Sequence, residues 1–153
     1  MAITLGAHVG IRPLFAPENS SGKATFQLKA TASILIVEDD YLIAMQAEDA
    51  LVEAGFTLIG VAASAEQAIE MAKIHPPTLA IMDIRLAGKR DGVDAALELF
   101  STQNIRCIFA SAHADQGVIQ RAQPARPLAW LQKPYSMPSL IAAVRAALEE
   151  LAD

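Results

Sequence analysis

Four apolar runs in this chain end on groups that can do chemistry. Leu79-Ala80-Ile81-Met82 ends on Asp83, at the head of the segment LAIMDIRLAGKRDG. Ile34-Leu35-Ile36-Val37 ends on Glu38-Asp39-Asp40. Ser111 closes the run inside FASAHAD, and Lys133 closes the one inside WLQKPYS. Each has an ordinary reading by itself. Asp is a good turn and cap residue, which is the role expected of Asp40. A lone lysine is usually a solvated charge. Together they are a nucleophile, more carboxylates, a hydroxyl donor and an ammonium, a set that can receive a phosphoryl group. Asp83 would attack phosphorus, while Lys133 and Ser111 would meet the phosphoryl oxygens. Carboxylates about 4 Å apart repel by roughly 4 kcal/mol at an effective dielectric near 20, so their gathering calls for a proton or a cation between them. A hard, oxygen-seeking ion such as Mg²⁺ suits Glu38, Asp39 and Asp83.

These residues can meet only if the elements carrying them line up. Short apolar runs recur at Ile34–Val37, Thr57–Val61, Leu79–Met82, Arg106–Ala110 and Leu128–Leu131. Stripes with helical spacing lie between them. Ile43, Ala47, Ala50, Leu51 and Ala54 form the first, with Gly55 at its C′ position. Ala65, Ala68, Ile69 and Ala72 form the second, opened by Ser64 and Gln67 in capping-box spacing. Val93, Ala96, Leu97 and Phe100 form the third, and Val118, Ile119 and Ala122 a short fourth that stops before Pro124. Leu140, Ile141, Val144, Leu148 and Leu151 form the fifth, with Pro138 in its first turn. Its other face carries Ala142, Ala143, Ala146 and Ala147, either a close-approach surface or plain helix propensity.

Strands alternating with helices, the strands apolar throughout, imply an α/β fold: a five-stranded, doubly wound parallel sheet covered on both faces by five helices. Right-handed crossovers favour the flavodoxin-like order 2-1-3-4-5. That order makes the first and third strands neighbours and brings Glu38, Asp39 and Asp83 to the switch point at one sheet edge.

With 153 residues, 53% of them hydrophobic and 19% charged, the chain is globular, long enough for one core, and unlike a disordered segment. Its formal net charge is −5. Residues 1–33 carry Arg12, Lys23 and Lys29 against Glu18, a net of +2, which leaves −7 for the remainder. An acidic domain without a basic stripe argues against nucleic acid as a partner. No apolar run approaches the length of about 18 residues that a membrane span needs, and no signal peptide is evident. The lone cysteine, Cys107, reads as a small buried hydrophobe and suits a reducing compartment, so a cytoplasmic location is expected. Residues 1–33, with Pro13, Pro17 and ENSSGK, read as a flexible N-terminal extension before a domain at 34–153, and TFQLKA within them alternates as a short strand would.

The segments ILIVEDD, LAIMDIRL, FASAHAD and WLQKPYS stand in an order and spacing that resembles the receiver domain of two-component response regulators, from about Ser33 to Asp153. The resemblance implies phosphorylation of Asp83 by a histidine kinase or a phosphotransfer protein. It implies Mg²⁺ bound by Asp39, Asp83 and the backbone carbonyl of Arg85, with Glu38 acting through water. Ser111 and Lys133 would contact the phosphoryl oxygens, the Lys133–Pro134 peptide would be cis, and Ser111 and Trp130 would form the switch. Such domains catalyse only their own phosphorylation and dephosphorylation. Output would pass to a protein partner or a homodimer through the fourth helix, fifth strand and fifth helix.

Ala87 stands where a proline is common in the family, the loop after Asp83 is about one residue longer than the shortest family loops, and Trp130 replaces the more usual Tyr or Phe. These features, with a fourth helix bracketed by Pro124 and Pro127, resemble single-domain, stand-alone receivers of alphaproteobacteria. The chain stops after its fifth helix, so a contact-mediated output, or a phosphate sink or shuttle, is expected. Three other classes are less well supported. A Mg-dependent small-molecule phosphatase of the haloacid-dehalogenase type would want a second Asp where Arg85 stands. A flavin module would want a Ser/Thr/Gly-rich loop where EDDYLIA stands. A receiver-like scaffold that is never phosphorylated would have no use for the full set, although Arg85 could crowd the site.

Overall fold

The structure is a computed structural model that describes residues 32–153. The extension expected before Ile34, and the strand considered within it, lie outside the described residues except for Ala32 and Ser33. Ser33 begins strand β1 (Ser33–Val37). There follow α1 (Tyr41–Glu53), β2 (Thr57–Ala62), α2 (Ala65–Ile74), β3 (Leu79–Asp83), α3 (Gly92–Gln103), β4 (Arg106–Ser111), α4 (Gln116–Ala122), a 3₁₀ turn (Gln123–Ala125), β5 (Ala129–Gln132) and α5 (Met137–Ala152). All strands are parallel, in the order β2-β1-β3-β4-β5 expected from sequence.

Alternation along each strand sends side chains to two cores, one per sheet face. Leu35, Val37, Ala80, Met82, Cys107 and Phe109 pack with α2 and α3. Ile34, Ile36, Leu79, Ile81 and Ile108 pack with α1 and α5. Burial on both faces explains why the strands read as unbroken apolar runs. Cys107 is 1% exposed, and burial pushes its thiol pKa up to about 12, so it behaves as a small hydrophobe.

Each of the five α-helices described opens on a side-chain cap, which sets its first turn at the sheet edge where the strands end. Asp40 accepts from Leu42 N and Ile43 N, in the cap role expected of it. Ser64 accepts from Gln67 N while Gln67 reaches back to Ala63 N, one residue before the partner a capping box prescribes. Asp91, Asp115 and Ser136 cap α3, α4 and α5. Gly55, at φ +98°, turns the chain out of α1.

Three expectations need correction. β5 is Ala129–Gln132, one residue later than the apolar run: side-by-side pairing begins at Ala129 opposite Ile108, and Leu128 N donates to Cys107 O at 2.8 Å just ahead of it. In α3, Ala95 and Leu99 are fully buried, while Leu97 and Phe100 are only partly covered, so the stripe is turned from the one read in sequence. The alanine face of α5 is not all surface: Ala147 is buried and Ala143 packs against the core, which leaves Ala142 and Ala146 outside. Among the described residues no helix is long and apolar enough to cross a membrane.

Candidate functional site

Register alone puts the polar strand ends side by side. Val37 pairs with Met82, so Glu38 and Asp83 come next on adjacent strands. Asp83 pairs with Ala110, and Ser111 follows. Ser111 pairs with Gln132, and Lys133 N donates to Ser111 O at 2.8 Å. Glu38 and Asp83 are 5% and 7% exposed, and Ser111 is 8% exposed.

Lys133 joins the acids. Its Nζ lies 2.6 Å from Glu38 Oε1 and 3.2 Å from Asp83 Oδ2. Glu38 Oε2 accepts from Asp40 N at 3.1 Å, and Asp83 Oδ1 from Arg85 N at 3.3 Å. The Lys133–Pro134 peptide is cis. Glu38, Asp39 and Asp83 each offer an oxygen within 4.8 Å of the others, and Asp39 is the exposed member. Burial raises the Glu38 carboxyl above its usual range despite the bonds from Lys133 and Asp40, with the Asp83 charge adding to the rise. For Lys133, burial pulls the ammonium down, but the Glu38 bond and the Asp83 charge outweigh it and the net shift is upward. Burial, then the Glu38 charge, raises the Tyr135 phenol.

The donor set fits a hard divalent cation. Three carboxylates against one ammonium leave two negative charges uncompensated, and all the facing atoms are oxygens. The Arg85 side chain is exposed, and its backbone reaches the site through the N–H on Asp83.

Ser111 Oγ accepts from His113 N at 3.0 Å. Trp130 is half-buried and stacks on Phe109, with ring centroids 4.7 Å apart and planes 21° apart. A cavity of about 400 Å³ lies beside it, lined by Ser111, His113, Ile119, Trp130 and Gln132 among others.

Beneath Asp83 lies Gly92, the first residue of α3. Its N–H donates to Ile84 O at 2.7 Å, and a Cβ there would overlap the Asp83 carbonyl. Gly92 and Tyr135 were not picked out from sequence. A glycine after Asp91 reads as ordinary helix entry, and nothing local reveals that its missing side chain makes room for the end of β3.

Residues 34–145 match the model of the response regulator receiver domain. The chain belongs to the receiver family. It is 32% identical to the chemotaxis protein CheY of Bacillus subtilis over 116 residues, 75% of this chain and 96% of CheY. It is 36% identical to the transcriptional regulatory protein PdtaR of Mycobacterium tuberculosis over 75% of this chain and 56% of PdtaR. It is 37% identical to the phyllosphere-induced regulator PhyR of Methylorubrum extorquens over 75% of this chain and 43% of PhyR. The receiver therefore spans about half the length of those two regulators. Among solved structures, the signal receiver domain of a modulated diguanylate cyclase from Desulfovibrio desulfuricans superposes with a TM-score of 0.74 at 31% identity, covering 80% of this chain and 97% of that one.

Proposed function

We propose that this receiver accepts a phosphoryl group on Asp83 from the phosphohistidine of a histidine kinase or phosphotransfer protein, and signals through protein contacts. The observation that carries this reading is the buried Asp83 carboxylate held by Lys133 beside Glu38. An Asp83 carboxylate oxygen forms the bond to phosphorus as the nitrogen–phosphorus bond of the donor breaks, and the imidazole nitrogen keeps the electron pair. Lys133 then exchanges part of its pairing with the carboxylates for the phosphoryl oxygens, and the Ser111 hydroxyl donates to one of them. Glu38, Asp39 and Asp83, with the Arg85 carbonyl, would hold Mg²⁺, which when bound offsets charge on the phosphoryl oxygens. In a separate hydrolytic step a water oxygen bonds to phosphorus, its proton passes to solvent, the bond to Asp83 breaks, inorganic phosphate leaves and the carboxylate is restored. The protein thus turns over only its own modification.

The donor has a landing surface next to the site. Tyr41, Leu42 and Met45 open α1 directly after the acids and are 75%, 63% and 36% exposed. Large apolar groups at such exposure suit contact with another protein. Output is assigned to α4, β5 and α5, toward a partner protein or a second copy, and the acidic domain is assigned no nucleic-acid role. A phosphohistidine donor and the free thiol of Cys107 both suit a cytoplasmic location, which is part of this proposal.

Acetyl phosphate with Mg²⁺, read by intact mass and a phosphate-affinity gel, tests the assignment. Wild type should gain one phosphoryl group and Asp83→Asn none. Equal labelling of the two would overturn it.

A further inference from the structure

The capping box of α3 is built from two acids. Asp91 Oδ1 accepts from Asp94 N at 2.9 Å, and Asp94 Oδ2 accepts from Asp91 N at 3.0 Å. A capping box more often uses a neutral Ser or Thr at its first position and so carries one charge. Here two carboxylates face each other, and the guanidinium that compensates them comes from another helix. Arg121 of α4 places NH1 3.1 Å from Asp94 Oδ1 and pairs through NH2 with Asp91 Oδ2. Its fork therefore spans both members of the box, a geometry a lysine ammonium cannot reproduce. Burial raises the Asp91 carboxyl, but the Arg121 and Asp94 bonds outweigh it and leave it below its usual range.

The position of this contact matters more than its strength. Asp91 precedes Gly92, whose backbone rests on the Asp83 carbonyl. On its other side, Arg121 sits in the seven-residue helix that joins the loop after Ser111 to the approach to Trp130. One arginine, through its two ion pairs, thus links the underside of the phosphoryl-acceptor strand to the helix between Ser111 and Trp130. Arg90 braces the same box without reaching α4, since its NH2 bonds Glu98 Oε1 at 2.7 Å and Asp94 O at 3.4 Å.

We propose that Arg121 is a latch that holds α4 against the α3 capping box in the unphosphorylated receiver, so that charging Asp83 must work against it. The inference rests on the reading of Asp83 as the acceptor. Side chains of Arg121, Asp91 and Asp94 are 41%, 35% and 40% exposed, so the latch is modest and tunes the switch instead of locking it.

The test titrates beryllium fluoride, as phosphoryl mimic with Mg²⁺, into the full chain and its variants by calorimetry. Arg121→Met should bind the mimic about two- to fivefold more tightly than wild type, the range a partly exposed ion pair supports. Asp94→Asn should tighten binding less, and adding it to Arg121→Met should change little further, because both changes remove the same interaction. Arg121→Lys should fall between wild type and Arg121→Met. A merely structural pair would lower thermal stability without tightening the mimic. Unchanged or weaker binding in a folded Arg121→Met or Arg121→Lys protein would overturn the latch. If the wild type fails to bind while Asp83 is still labelled by acetyl phosphate, the latch falls and the acceptor assignment stands. Loss of both in the wild type would sink the two together.

Discussion

The Lys133 ammonium sits closer to Glu38 than to Asp83, at 2.6 Å against 3.2 Å. It is therefore engaged with Glu38 more than with Asp83, the proposed acceptor. Removing one partner of a buried pair strands the other's charge, at a cost of about 3 kcal/mol or more. Lys133→Met should lose about that much stability in metal-free buffer at neutral pH, and Lys133→Met/Glu38→Gln should recover most of it. Urea unfolding of the four proteins of this cycle gives the answer. A double variant no more stable than Lys133→Met would show that the loss comes from packing.

Asp83 brings a second carboxylate to an ammonium that Glu38 already holds. Asn at 83 keeps an oxygen for the Arg85 N–H while removing the repulsion with Glu38. Asp83→Asn should therefore raise the melting temperature by about 2–4 °C without metal, the equivalent of about 1 kcal/mol in a domain of this size. Scanning calorimetry with a chelator present would check it, and a lower melting temperature would contradict it. Saturating Mg²⁺ should shrink the difference.

The raised Glu38 carboxyl gives stability a pH dependence of known sign. Its folded pKa lies above the ordinary 4.5, so the folded protein takes up the proton more readily than the unfolded chain. The Glu38 contribution is then fully present below pH 4.5 and is lost as pH rises through the raised folded value. Glu38→Gln should remove that fall. Unfolding free energies of wild type and variant, measured with a chelator upward from pH 4, should diverge as pH rises. Parallel curves would mean Glu38 titrates as an ordinary carboxylate.

Gly92 has no room for a methyl group. Gly92→Ala would press on the Asp83 carbonyl and force the start of α3 away from β3. Overpacking of this kind costs about 1–3 kcal/mol. The same displacement should slow acetyl phosphate labelling of Asp83, because the Asp83 backbone is what moves. Normal stability with normal labelling would show that the β3–α3 connection yields freely.

Trp130 should report the switch, with a damped response. Its neighbourhood is less close-packed than a strand position suggests, since Trp130 and Ser111 line the same cavity, yet the stack on Phe109 restrains the ring. Mg²⁺ with beryllium fluoride should change Trp130 emission and reduce iodide quenching without abolishing it, and Asp83→Asn should do neither. Mimic binding confirmed by calorimetry with unchanged emission and quenching would make Trp130 a static residue.

The alternation of apolar runs and helical stripes was enough to read five strands, five helices and their order, because a parallel sheet covered on both faces imposes that pattern locally. Asp83, Glu38, Asp39, Ser111 and Lys133 were legible for a related reason: each ends a strand, and parallel strands bring their ends to one edge. Pairings that depend on how helices are rotated and seated were not legible. Ala147 turned inward, Leu99 took the core position that Leu97 and Phe100 were expected to hold, and Arg121 met Asp91 across 30 residues of chain. Gly92 acquired its place only when α3 packed beneath β3. Sequence periodicity specifies which face of an element is apolar to within about a residue. The closing positions of that face, and the partner of a charge at its rim, are decided by packing two curved surfaces together, where a small rotation of a helix exchanges one neighbour for another.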